Sequence, residues 1–273
     1  MRFTFWAPSR KVKARIKFFM VLIAIGAGAL VALESRFAIF RIRELQVDPA
    51  NLLPHSAVWG TIPPDQEKFW PSFWTHGKEY TALIDNYYPV QTDMSCCGWG
   101  KFRLEIKPAE PVLKVFWGGK YWYAASDGRI WLTTLKENEY INTSKTMTRP
   151  VLTWGSDRMT PVNFARVHGN IFVSSLPMTH IKQWYDNMRA LGWYSKIKYV
   201  QAGINEGQPV VRIIFSDGKD GTAANILFPD DPSVWIEAGI AINKLYPDLQ
   251  KVSPNIFIDT TYQGKILVKN KVQ

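Results

Sequence analysis

Polar and apolar positions divide this chain into one unbroken apolar run, several alternating runs and two stretches with helical spacing. From Phe18 to Leu33, FFMVLIAIGAGALVAL carries no charge. A membrane-crossing helix needs about 20 apolar residues, with about 17 as the lower limit. The run is slightly short, but Lys17 can snorkel at one end and apolar residues resume at Phe37–Phe40. A cleaved leader is the alternative, with Ala27-Gly28-Ala29 as its small-residue site. Because the apolar run continues past that site, an uncleaved transmembrane helix over 18–36 is the preferred reading.

Beyond it, FAIFRIRELQV (Phe37–Val47) alternates and predicts a half-buried strand. LLPHSAVWGTI has a short helical pattern interrupted by Pro54, and KEYTALIDNYY predicts a second helix stopped at Pro89. Between them, PPDQEKFWPSFWTHG reads as irregular. Its Phe69, Trp70, Phe73 and Trp74 either plug a small core or meet a membrane interface, where Trp concentrates. WGKFRLEI (Trp99–Ile106) and Val112–Trp117 alternate again. The order strand, helix, helix, strand, strand predicts a small α+β domain over 37–107, both helices on one face of three strands.

A larger unit is expected over 108–273. Asp127-Gly128 and Asp217-Gly218 are hairpin signals. Ile181, Trp184, Tyr185, Met188 and Leu191 share one helical stripe, and Gly192 ends it. PVLTWG, WYSKIKYV, PVVRIIF and AANILF read as strands, and SVWIEAGIAINKLY as a helix. NIFIDTTYQGKILVKN closes as a hairpin, with its last strand expected over Tyr262–Val268. The fold class is α+β: a single N-terminal transmembrane helix, a small domain, then a larger, mostly antiparallel β domain with packed helices.

Charge changes this picture in one respect. The net charge is +10, and Arg2, Arg10, Lys11, Lys13, Arg15 and Lys17 all precede the first acid. Part of the excess therefore belongs to a tail over 1–17, and no nucleic-acid partner is expected. The positive-inside rule puts that tail in the cytoplasm and the remainder outside. Cys96 and Cys97 are adjacent, so no long-range staple joins them and no metal-ligand spacing exists. Two partly buried thiols are expected.

The search for catalytic chemistry returns little. A nucleophile elbow, H-E-x-x-H, a P-loop and G-x-G-x-x-G are all absent, and the four histidines are scattered. Ser195–Lys198 matches S-x-x-K, but in an alternating run and without its companion motifs. Asp217–Gly221 lacks the every-second-residue oxygen spacing of a calcium loop. Glu110 has no partner carboxylate that sequence can nominate. Pro111 forces Glu110 into extended geometry, and Pro108 does the same to Lys107. Pro108, Glu110 and Pro111 are therefore expected to form a rigid joint between the two units, and no catalytic, cofactor or metal-binding residue is expected.

IKPAEPVLKV followed by AASDGRIW, then RPVLTWG, then IDTTYQGK together resemble the bacterial cell-division family FtsQ/DivIB. The resemblance lies in element order over nearly the whole chain. Departures are the missing arginine near Glu110, Thr261 in place of an arginine, Trp154 as an insertion, and the Trp-rich stretch Phe69–Trp74. It implies a POTRA domain after the anchor, then a β domain. It also implies a non-enzymatic scaffold in the inner membrane at the division septum. Its partners would be proteins such as FtsB and FtsL, added as a β-strand at the C-terminal edge, with other division proteins meeting the POTRA-like domain. Asp259, Tyr262, Gly264, Lys265, Ile266 and Val268 would form the partner-binding segment, with Tyr262 an aromatic anchor. Two further readings are a POTRA-type assembly or transport component, and a membrane-anchored cell-wall glycan-binding module.

Overall fold

The structure is a computed structural model. It describes residues 10–37, 39–64, 69–136, 138, 150–155, 162–163, 169–215, 223–252, 255–262 and 264–270. It is α+β, with five α-helices, a three-stranded sheet and an eleven-stranded mixed sheet among the described residues.

The first helix, α1 (Arg10–Phe37), has 28 residues, about 42 Å at 1.5 Å per residue. Its stretch Lys11–Glu34 is long and apolar enough to cross a membrane. Phe18, Phe19, Met20, Val21, Leu22 and Ile23 are consecutive and all exposed, so the apolar surface runs round the whole helix. Such a helix needs an apolar surrounding, which the other described residues do not supply.

The small unit follows as β1 (Glu44–Asp48), α2 (His55–Thr61), α3 (Trp70–Tyr87), β2 (Val90–Gly98) and β3 (Lys101–Pro108). Strand β3 is central, parallel to β1 and antiparallel to β2. Alternation decides the faces: Leu45 and Val47 line up with Phe102 and Leu104 and are buried under Val58, Phe73, Tyr80 and Ile84 of the two helices. The opposite face is polar and carries the Lys101–Glu44 ion pair at 2.9 Å.

Four expectations are corrected here. Val112–Trp117, expected as the last strand of the small unit, belongs to the larger sheet because the chain leaves the small sheet at Pro108, and the small sheet's remaining strand is Val90–Gly98, for which no strand was expected. The strand expected over Phe37–Val47 is only Glu44–Asp48, because α1 runs on to Phe37 and Ile39–Arg43 are engaged by tertiary contacts described below. Pro54 does not interrupt α2; it precedes it in extended conformation, where its missing N–H costs nothing. The stretch expected to be irregular is helical from Trp70, with Pro71 in the first turn and non-helical backbone at His76. Thr75 Oγ1 donates to the Pro71 carbonyl at 2.9 Å just before Gly77, a combination that bends helices.

Only Ala109 and Glu110 separate β3 from β4 (Pro111–Trp117). The larger sheet continues with β5 (Lys120–Ala125), β6 (Arg129–Leu132), β7 (Leu152–Trp154), β8 (Val162–Asn163) and β9 (Ile171–Ser174). Then come α4 (Met178–Ala190), β10 (Ile197–Asn205), β11 (Gln208–Phe215) and β12 (Ala223–Pro229). A short 3-10 turn leads into α5 (Trp235–Val252), β13 (Asn255–Asp259) and β14 (Leu267–Asn270). The strand order is β14-β13-β12-β11-β10-β7-β4-β5-β6-β9-β8, and only β7–β4, β7–β10 and β12–β13 are parallel. The Asp217-Gly218 turn lies outside the described residues, but the strands flanking it pair antiparallel.

Helices α4 and α5 share one core with the sheet. Ile181, Trp184, Tyr185, Met188 and Leu191 are all buried there, and Gly192 takes the left-handed conformation that ends α4. Trp184 stacks on Trp235 with centroids 6.0 Å apart and rings 3° from parallel. Buried indoles need acceptors. Trp184 Nε1 donates to Asp230 O, Trp235 Nε1 to Pro229 O and Trp193 Nε1 to Asn243 Oδ1, at 2.9, 2.9 and 2.7 Å.

Candidate partner-binding edge

Interior strands of the large sheet have neighbours on both sides. Among the described residues β14 pairs only with β13, in antiparallel register from Ile256↔Asn270 to Asp259↔Leu267. Among the described residues its outer backbone edge is open, and an open edge is a template for another strand. Alternate side chains, Leu267 and Lys269 against Val268, face opposite sides of the sheet.

The residues before β14 build its rim. Asp259 is buried at the end of β13, and its Oδ1 accepts from Thr261 N at 2.9 Å and Thr261 Oγ1 at 2.6 Å. That short loop turns the chain off the sheet. Thr260 N and Oγ1 both donate to Leu227 O at 2.9 Å, tying the turn to β12. Lys265 N donates to Tyr262 O at 3.1 Å, and Gly264 has φ +68°, so the strand restarts only at Leu267. The last strand is thus Leu267–Asn270, not Tyr262–Val268: the Asp259 turn and the left-handed glycine take Tyr262 and Gly264–Ile266 out of the ladder.

Tyr262 is held on this turn and is 46% exposed. It stands between two recesses. One groove, of about 590 Å³, is lined by Asp231, Val234, Glu237, Ala238 and Ala241 on one side and by Thr260–Tyr262 and Gly264–Ile266 on the other. The other, about 110 Å³, lies toward the turn joining β10 to β11. Ile266 packs partly against the main core, whereas Lys265 is exposed. Asp231 is exposed on the groove, and the Ser233 backbone N–H, then the Ser233 side chain, hold its carboxyl below the usual range. The structure therefore brings Tyr262, Gly264, Lys265 and Ile266 together on one groove, with Val268 on the adjacent strand and Asp259 beneath as support. Sequence reasoning missed the opposite wall. Its signal is the small-residue cluster Ala238, Gly239 and Ala241 on an otherwise amphipathic α5.

Other expected positions are elsewhere. Pro108 ends β3 opposite Val90, Pro111 opens β4 opposite Ala125, and Ala109 N donates to Pro89 O at 2.8 Å. Glu110 is exposed on this joint and makes no ion pair with a described residue. Ser195 lies in the turn before β10, not at a helix start. Cys96 and Cys97 are both exposed, correcting the expectation of partial burial: they sit on the end of β2 that projects past the core. Among the described residues no three His, Cys, Asp or Glu side chains gather as a metal site would require.

No family model matches the chain, and no curated protein matches it.

Proposed function

We propose that this protein is a single-span, non-enzymatic scaffold of the bacterial division machinery, of the kind that FtsQ/DivIB proteins represent. The observation that carries the reading is the open edge of β14 beside the Tyr262 groove, on a sheet tethered to one apolar helix. A partner segment that adds as a strand gains backbone hydrogen bonds along the edge, and its alternate side chains enter the groove and select it. Tyr262 serves as the aromatic anchor and Lys265 and Lys269 favour acidic neighbours. The partners are coiled-coil membrane proteins resembling FtsB and FtsL. Helix α1 spans the inner membrane with its basic tail in the cytoplasm, and both folded units lie outside it. The small unit, with its strand, two helices and two strands, is a POTRA-like domain that meets other division proteins.

A photo-crosslinking residue at Leu267, with Tyr199 on the interior strand β10 as control, tests this in growing cells. The reading predicts an adduct with an FtsB- or FtsL-like protein at Leu267 and none at Tyr199. Equal yields at the two positions, or no adduct at Leu267, contradict it.

A further inference from the structure

A second surface lies where α1 ends, and the groove above does not involve it. The Ile39 carbonyl accepts two indole N–H groups, from Trp70 at 3.1 Å and from Trp99 at 2.7 Å. Those two rings pack with centroids 4.9 Å apart. Phe40 packs on Phe69 at 5.9 Å, the Phe40 carbonyl accepts from Trp70 N at 2.8 Å, and Arg41 bridges to Phe69. Gly100 lets the turn between β2 and β3 close on this segment. Its φ is +68°, and a Cβ there would lie 2.9 Å from the Arg41 carbonyl oxygen. Trp99 is thereby delivered to Ile39.

This collar is apolar outward. Trp74 is 69%, Trp99 54% and Phe69 49% exposed. Trp74 follows Trp70 by one helical turn, so the two extend one face of α3. The indole N–H groups of Trp70 and Trp99 are already satisfied inside the protein, leaving ring surface toward solvent. Arg41, Arg43 and Lys101 are exposed around it.

The height of the collar is fixed by Glu34, the first charge after the apolar run. Its carboxylate accepts from Phe40 N at 2.7 Å and lies 3.9 Å from Arg41 Nε. The collar is thus within one side chain's reach of the point where α1 stops being apolar. The headgroup layer beyond a hydrocarbon core is about 5–8 Å deep on each side. Indole and phenyl rings with basic neighbours suit that layer.

We propose that Phe40, Phe69, Trp70, Trp74 and Trp99 form a bilayer-docking site that seats the small unit in the headgroup layer where α1 leaves the membrane. The inference rests on the reading of α1 as a membrane span. The occupant is the lipid surface itself, argued from continuity with the apolar helix and from the exposed Arg43 beside the collar, Arg41 and Lys101 being ion-paired to Glu34 and Glu44.

The test uses the full chain in vesicles of three parts phosphatidylcholine to one part phosphatidylglycerol. In a Cys96→Ser background, Cys97 carries an environment-sensitive fluorophore. In a separate Cys96→Ser/Cys97→Ser background, Leu22→Cys carries the same label within α1. Lipids bearing a nitroxide near the headgroup, or deep in the chain, act as quenchers. The expected result is that the shallow quencher roughly halves Cys97 emission, while the deep quencher acts most on the Leu22→Cys label. Trp74→Ser, which removes no internal hydrogen bond described above, lowers the quenching at Cys97, and adding Phe69→Ser and Trp99→Ser abolishes it. Quenching at Leu22→Cys but not at Cys97 overturns the docking site and leaves the span standing. Quenching at Cys97 alone removes the span and, with it, the docking site as proposed, and quenching at neither overturns both.

Discussion

Tyr262 and Trp184 show how different duties fall to aromatic residues in one chain. Tyr262 is half-exposed on a turn held by Asp259 and Gly264, so its ring is free to meet a partner. If the proposed scaffold role holds, Tyr262→Ala weakens binding of the FtsB- or FtsL-like partner at least tenfold, about 1.4 kcal/mol or more in a titration. Unfolding of the same variant should stay within about 0.5 kcal/mol of the parent, as for most surface changes. Trp184 is enclosed, stacked on Trp235 and bonded to the Asp230 carbonyl. Trp184→Ala removes the buried ring and its stacking on Trp235 and should cost about 3–5 kcal/mol in denaturant unfolding. Gly264→Ala should cost about 1–2 kcal/mol through backbone strain alone, because the space around the glycine is open.

At the scale of elements, period and punctuation carried most of the information. The stripe Ile181–Leu191 with Gly192 is α4, and Asp127-Gly128 turns β5 into β6. Alternation over Trp99–Ile106 marked a strand, which the structure places at Lys101–Pro108, in the middle of the small sheet. What failed did so where tertiary contacts set the outcome. Ile39–Arg43 alternate like a strand, but Glu34, Trp70 and Trp99 hold their backbone instead. Trp70–His76 lack a polar cap signal, and a helix forms because Phe73 is drawn into the core. Strand β9 is only four residues long, pairs with the distant β6 and β8, and offers too little periodicity to read. The groove beside Tyr262 was half legible: its turn residues stand together in the sequence, whereas Glu237, Ala238 and Ala241 arrive from another element.

At the scale of the whole molecule, the two units are fastened rather than merely linked. Asn170 N donates to Asn86 O at 2.6 Å, Asn170 Nδ2 to Tyr87 O at 3.3 Å, and Arg129 Nη1 to the Val90 carbonyl. Ala109 of the joint is buried with Ala125, Trp131 and Ile171 of the larger unit. Gly169 permits the approach, since a Cβ there would lie 2.3 Å from the Asn86 carbonyl oxygen. Gly169→Ala should therefore part the units and cost about 1–3 kcal/mol, lowering the thermal midpoint and exposing the joint to protease. A rigid coupling of this kind would carry the position of α1 through the small unit to the edge at β14.

The measurement that bears most directly on this account is the position of a fluorescently tagged full chain in dividing cells of its native host. A division scaffold gathers as a band at midcell that sharpens as constriction begins. An even envelope signal through the whole cycle would contradict the account.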